Sequence, residues 1–338
     1  MTTATPASSE RPHVHIRTMV ANARIEGVYN LVNPQVGVTK NGDTYLKCLL
    51  RDASGEMPGR RWKFDERELE AISATGFVWV EGTTELYEGK IQLRVEQVRS
   101  CEVSEQELAH LLPMTPRSID AMAARLAELL DTLAHPGMRA LVAEFLRDDE
   151  LMMRFRRAPA AMSLHHAWIG GLLEHTLQLL ELADRMLPLY PQLNRDLVMV
   201  GLFLHDIGKV WELTWERGFN YTLDGNLVGH LVRGAIVLQA KAALANKASG
   251  NSIPSDAIKV LQHIVLSHHG SLAFGSAKLP STPEAIFVAM LDNLDARTQM
   301  SLTAARSADS ADAAALNGGF TEKIWALETR LYRPDPLA

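Results

Sequence analysis

Eight of the twelve histidines fall after Ala160, as His165, His166, His175, His205, His230, His263, His268 and His269. His175 lies in WIGGLLEHTLQLLELA, where Leu172, Thr176 and Leu179 share its helix face, so its ring points inward. Taken alone, that residue reads as a core histidine bonded to backbone. His205-Asp206 ends the apolar run LVMVGLFL, and Asp292 follows AIFVAML. A carboxylate at the inner end of a buried helix is costly without a cation or hydrogen bonds, which leaves a structural His-Asp contact or a metal as explanations. Such groups on several helices offer the mixed nitrogen and oxygen ligands of a divalent transition metal. His230, followed by Arg233, and the pair His268-His269 before Gly270 add more nitrogens than one ion uses, which suggests a second. Two ions about 4 Å apart can generate hydroxide, clamp a phosphate and stabilise a leaving oxygen, which is phosphodiester chemistry. Lys209, one turn beyond His205, is placed to neutralise a phosphate oxygen, or is a solvated lysine at a helix end.

The elements around these residues differ between the two halves of the chain. From about residue 15 to 101 the pattern is strand-like, with TYLKCLLRD and FVWVEGTTELYEGKIQLRVEQV, a turn signal at Asn41-Gly42 and one helix near Asp65 to Ala74. Roughly five strands in so short a segment predict a small closed Greek-key barrel of the OB-fold kind. After residue 104 the spacing turns helical, with Ser118 as N-cap of IDAMAARLAELLDTLA. The expected organisation is a disordered lead-in over 1–14, a barrel over 15–101, a linker over 102–117 containing Pro113 and Pro116, and an all-α domain over 118–338. A last helix is expected to carry Trp325, Leu327 and Leu331.

Composition narrows the function. The 338 residues carry a net charge of -6 and are 47% apolar, which excludes a uniformly basic protein held on nucleic acid by bulk charge. Cys48 and Cys101 are the two cysteines, too few for a disulfide framework or a thiolate zinc module. No apolar run approaches the roughly 20 residues of a membrane span, and no secretory signal stands at the start, so a cytoplasmic protein off the membrane is expected. In the barrel half, Tyr45, Trp62 and Phe64 could stack bases, and Arg60, Arg61 and Lys63 could track phosphates. For Trp62 and Phe64, core packing is the equal alternative. The first 100 residues hold 13 Lys and Arg against 13 Asp and Glu, so any binding face is a local patch. His165 and His166 precede the His175 helix and either face substrate or cap it.

His175, then His205-Asp206 within HDIGK, then Asp292 resembles the H…HD…D signature of HD-domain phosphohydrolases. The phrases HHAWIGGLLEHT, GLFLHDIGKVWEL, LSHHG and LDNLDAR, behind an OB-like half, resemble the YhaM-type 3′-5′ exoribonucleases over nearly the whole chain. The resemblance implies a manganese-dependent nuclease that removes nucleotides from single-stranded RNA, in some members DNA, with the OB-fold guiding the strand. It implies His175, His205, Asp206 and Asp292 as ligands, with His230, His268 and His269 as further ligands of one or two ions. In this reading His205 and Asp206 anchor the catalytic metal, and Lys209 or Arg233 holds a phosphate. The alternatives are an HD phosphohydrolase of free or cyclic nucleotides and a non-catalytic single-strand-binding factor; assembly into a homo-oligomer stays open.

Overall fold

Asn33-Pro34 bends the 15-residue strand β1 (Arg24–Val38) so that it serves two neighbours. Asn33 adopts the left-handed conformation (φ 48°), Pro34 offers no N–H, and the register shifts between Val32 and Gln35. Before the bend β1 pairs antiparallel with β4 (Phe77–Tyr87), and from Asn30 onward with β2 (Thr44–Asp52). β2 continues antiparallel to β3 (Gly55–Trp62), β3 runs parallel to β5 (Lys90–Ser100), and β5 returns antiparallel to β4. The result is a closed barrel in the order β1-β2-β3-β5-β4, with helix α1 (Glu68–Ser73) between β3 and β4. This is the strand order of an OB-fold, as the sequence predicts.

The structure, a computed structural model, describes residues 11–87, 89–162, 166–215, 218–249, 253–306, 319–335 and 337. The chain divides into two units, Met1–Met114 with Trp215–Asn220, and Thr115–Thr214 with Tyr221–Ala338. Two features of the first unit differ from expectation. Residues 11–14, read as part of a disordered lead-in, instead lie on the barrel: Arg11 pairs with Glu107, and the Tyr29 hydroxyl donates to the Val14 carbonyl (2.8 Å). The segment read as a linker carries α2 (Glu105–Leu111), capped reciprocally by Ser104 and Glu107 and packed on β1 and β2.

In the second unit Ser118 caps α3 (Ile119–Asp131) as expected, accepting from the Ala121 N–H. There follow α4 (Pro136–Leu146), α5 (Asp149–Arg157), α6 (Gly171–Met186), α7 (Arg195–Leu204), α8 (Lys209–Glu212), α9 (Leu223–Leu227), α10 (His230–Ser249), α11 (Ser255–Ser267) and α12 (Pro283–Arg306). α6 is apolar on most of its surface and packs against α3, α5, α7 and α12, which makes it the central helix. Phe203 of α7 meets Phe145 and Phe155 edge to face, each at 5.9 Å between centroids. Past Gly319 the described residues form no helix. Bridges Phe320 to Tyr332 and Ile324 to Thr329 close a loop in which Glu328 is left-handed (φ 59°), leaving Trp325 exposed and Leu327 buried. No helix of the described residues is long and apolar enough to cross a membrane.

The barrel core contains Tyr29, Leu46, Leu50, Met57, Phe64 and Leu93. Phe64, offered above as a stacking residue, is 1% exposed and belongs to this core, whereas Trp62 is 46% exposed and lies against Tyr45 at 5.2 Å between ring centroids. The two differ because Lys63 is left-handed (φ 56°), which breaks the alternation of the strand and turns Phe64 inward. Phe64→Ala is therefore expected to cost ~3–5 kcal/mol in urea unfolding of the barrel. Trp62→Ala is expected to cost less than about 1 kcal/mol, as for an exposed position.

Candidate metal centre

His175 faces inward from the middle of α6, and His205-Asp206 stands at the C-terminal end of α7. His230 opens α10, His268-His269 follows α11, and Asp292 and Asp295 lie three residues apart on α12. These elements bring together the groups that the sequence reading named as ligands. His175 Nε2 lies 3.2 Å from Asp292 Oδ1, 3.3 Å from His205 Nε2 and 3.9 Å from Asp206 Oδ2. The second oxygen of Asp206, Oδ1, lies 3.5 Å from His230 Nε2 and 3.4 Å from His268 Nε2, while His230 Nε2 is 3.3 Å from His269 Nε2.

The outward hydrogen bonds fix which nitrogen each ring presents. His205 Nδ1 donates to the Leu202 carbonyl (2.7 Å), His268 Nδ1 to Val265 (2.9 Å) and His269 Nδ1 to Phe274 (2.9 Å). His175 Nδ1 donates to Asp295 Oδ2 (2.7 Å) and His230 Nδ1 to Glu212 Oε1 (2.9 Å). Carbonyls and carboxylates only accept, so each of these nitrogens carries a hydrogen, and each ring turns Nε2 toward the centre, as a bare lone pair wherever the ring is neutral. Acceptors at 3.2–3.5 Å from one another repel unless a proton or a cation lies between them. No hydrogen-bond donor among the described residues reaches Asp206 Oδ1, although the atom is buried.

This donor set fits divalent metal. His175, His205, Asp206 and Asp292 offer two nitrogens and two oxygens around one position, and His230, His268 and His269 with Asp206 Oδ1 offer three nitrogens and one oxygen around another. Imidazole and carboxylate together suit first-row transition ions better than the all-oxygen shells of magnesium or calcium. Electrostatics favour a cation as well. Burial disfavours a charged His175, but Asp292 and Asp295 outweigh it and hold its pKa at about 9, so at pH 7 its Nε2 carries a proton toward Asp292 that a bound cation would replace. Burial and the neighbouring His268 and His230 push His269 down to about 4, so it stays a neutral donor at pH 7.

Two residues that the sequence reading missed orient this set. Asp295 is buried and accepts from both His175 Nδ1 and His166 Nε2 (3.0 Å), and Glu212 accepts from the ring and the backbone N–H of His230. Carboxylates behind ligating histidines fix the tautomer and raise ligand basicity. The spacing of Asp292 and Asp295 within LDNLDAR was the available signal, since positions three apart share a helix face. His166, read as either facing substrate or capping the His175 helix, is buried with its Nε2 on Asp295; His165 lies outside the described residues. Lys209 places Nζ 2.6 Å from Asp206 Oδ2; burial opposes its charge, but Asp206 raises its pKa, so the ammonium is retained beside the ligands. Arg233 is committed to Asp224, with Nε donating to Oδ2 at 2.9 Å.

Glycines let the ligand-bearing elements approach. A Cβ on Gly208 of HDIGK would lie 2.1 Å from the His230 carbonyl oxygen, and one on Gly171 would lie 2.0 Å from that of His166. Gly208→Ala is thus expected to displace His230 and weaken divalent-metal binding at least tenfold, as read by calorimetry on folded protein. Asp295→Asn keeps the side-chain shape but replaces the acceptor behind His175, and is expected to weaken metal binding about 10–100-fold in the same measurement.

A family model described as HD domain matches residues 172–297, the span that holds His175 through Asp295. The solution NMR structure of the second OB-fold domain of replication protein A from Methanococcus maripaludis is similar at 17% identity and TM-score 0.21, over 26% of this chain and 94% of that chain. The 3′-5′ exoribonuclease YhaM of Geobacillus sp. (strain WCH70) is 34% identical over 300 residues, 88% of this chain and 88% of the relative. Similarity of that strength spans both units rather than the HD segment alone, and the chain belongs to the YhaM family.

Proposed function

We propose that this protein is a metal-dependent 3′-5′ exoribonuclease that shortens single-stranded RNA. The observation that carries the chemistry is the convergence of four Nε2 atoms, those of His175, His205, His230 and His268, on the two oxygens of one buried carboxylate, Asp206, with His269 Nε2 beside that of His230. Direction and RNA class rest on the named activity of the relative at 34% identity. His175, His205, Asp206 and Asp292 would hold one ion, and His230, His268 and His269 with Asp206 the other. When bound, a pair of divalent ions lowers the pKa of water and neutralises charge on a phosphodiester, the two demands of its hydrolysis. The donor set suits first-row transition ions as a class, and manganese, the ion we assign, rests on the resemblance to the YhaM-type exoribonucleases.

The chain's own residues prepare that chemistry. Asp295 and Glu212 hold His175 and His230 against rotation, so the ligand geometry exists before substrate arrives. Lys209 keeps a fixed positive charge beside Asp206, suited to a non-bridging phosphate oxygen. On the barrel, exposed Trp62 against Tyr45 offers stacking area, and Arg60 lies over the Tyr87 ring at 4.9 Å while lining a groove of about 460 Å³ with Lys47 and Lys90. Aromatic faces among cations suit a single strand, of RNA or of DNA. A cytoplasmic location agrees with RNA as substrate.

The test uses 5′-end-labelled single-stranded RNA with manganese, read on a sequencing gel. The wild type is expected to give a ladder shortening from the 3′ end, chelator to stop it, and Asp206→Asn to fall to background with an unchanged circular dichroism spectrum. Turnover of free nucleotides with intact RNA would instead support a phosphohydrolase of small substrates. Trp62→Ala and Tyr45→Ala are each expected to cost roughly 1–3 kcal/mol of strand binding, while hydrolysis of a small activated phosphodiester is retained.

A further inference from the structure

The barrel unit carries a second group of imidazoles that the nuclease reading does not use. Asp52 ends β2 with its side chain fully enclosed, and Oδ1 accepts from Ser54 N–H (2.7 Å), Ser54 Oγ–H (2.6 Å) and Gly55 N–H (3.0 Å). Oδ2 accepts from Ile16 N–H (2.8 Å) and faces two histidines of the N-terminal arm, His13 Nε2 at 3.2 Å and His15 Nδ1 at 3.7 Å. His13 Nδ1 lies 3.0 Å from the Val28 carbonyl, so it carries the hydrogen, and a neutral ring turns its Nε2 lone pair on the carboxylate. Ligand atoms of His13, His15 and Asp52 all lie within 4.8 Å of one another. The ring of His110, at the end of α2, is 5.7 Å from that of His13 and 5.8 Å from that of His15, and it lines a cavity of about 180 Å³ with both.

We propose that His13, His15 and Asp52, with His110 as the fourth donor, form a binding site for a divalent cation of the zinc class. The chemistry of the donors selects the ion. Three imidazoles and one carboxylate match borderline transition ions, whereas magnesium and calcium favour oxygen shells. The carboxylate is already held by four donors from the β2 turn and the arm, which is the kind of support that orients a ligand. Cation binding would join three segments far apart in sequence: the arm at His13 and His15, the end of β2 at Asp52 and the end of α2 at His110. The Arg11 to Glu107 ion pair ties the same arm to the same helix, so the site closes a connection that the fold has already begun. Its role is structural, a clip that fixes the arm on the barrel and raises the stability of that unit.

Zinc content of full-length protein, dialysed with a small excess of zinc and then against metal-free buffer, tests the site by mass spectrometry. The wild type is expected to hold one equivalent more than His13→Gln/His15→Gln, and that difference is expected to persist when Asp206→Asn is present in both. Equal content in the two folded proteins would overturn the proposal and leave His13 and Asp52 as a plain ion pair. If the double variant does not fold, His15→Gln and His110→Gln, both at exposed rings, replace it. Each is expected to weaken the extra site at least tenfold in a competition titration with a chromophoric chelator. Unchanged affinity in both, or an extra equivalent that appears only at millimolar zinc, would likewise overturn it.

Discussion

Five imidazoles, those of His175, His205, His230, His268 and His269, each commit Nδ1–H to an oxygen outside the centre, and that constraint organises the helical unit. Three of the acceptors are main-chain carbonyls, Leu202 and Val265 in the last turns of α7 and α11, where carbonyls ordinarily lack intrahelical partners, and Phe274 in the segment after α11. A histidine at such an end can satisfy its outer nitrogen locally, so no buried polar partner has to be brought from elsewhere. His175 and His230 have no such carbonyl for their outer nitrogens, and each takes a carboxylate instead, Asp295 and Glu212. The two kinds of support leave the same product: a ring with one freedom removed and its Nε2 turned toward the centre. Asp206 then has to divide its oxygens, Oδ2 toward His175 and His205, Oδ1 toward His230 and His268.

Convergence of so many acceptors is expensive in the absence of positive charge, and the unit meets that demand by proximity of backbone. Helix ends can surround one carboxylate only if they come closer than side chains normally permit. Gly208 and Gly171 remove the Cβ atoms that would occupy the positions of the His230 and His166 carbonyls. Lys209 adds the one ammonium in contact with Asp206 among the described residues, and it does so from the first turn of α8, immediately after the glycine that allows the approach. The short phrase HDIGK thus contains a ligand pair, a point of close passage and a counter-charge, and each depends on the next.

How much of this could be read from the chain depends on the range of the interaction. The ligands on α6, α7 and α12 were legible because apolar runs around His175, His205 and Asp292 forced polar groups inward. The orienting carboxylates were not, because Asp295 and Glu212 sit on half-polar stretches where acidic residues are ordinarily solvated, and their partners lie 120 and 18 residues away. Arg233 followed His230 closely enough to suggest phosphate binding, yet Asp224 lies nearer on the folded chain. The barrel was legible as a strand count, but the split of Trp62 from Phe64 was not, since a single left-handed Lys63 reverses the faces that alternation assigns. α2 was signalled by its Ser104 and Glu107 capping pair, and the neighbouring Pro113 and Pro116 led to a linker instead.

The barrel unit applies a related constraint with different consequences. Asp52, like Asp206, is an enclosed carboxylate whose neighbours include imidazoles, but its surroundings supply four conventional donors, three of them from the turn that follows β2. A carboxylate so supported is stable in place whatever lies beyond its remaining lone pair, so the barrel can fold with or without a charge there. Asp206 has no comparable support: apart from Lys209, its close neighbours are ring nitrogens made basic by their outward bonds. Burial of both carboxylates follows from one rule about polar groups, yet of the two only Asp206 leaves an oxygen without a hydrogen-bond donor among the described residues. That difference explains why a cation at Asp52 is a reinforcement of a finished fold, while at Asp206 it completes the electrostatics of the site.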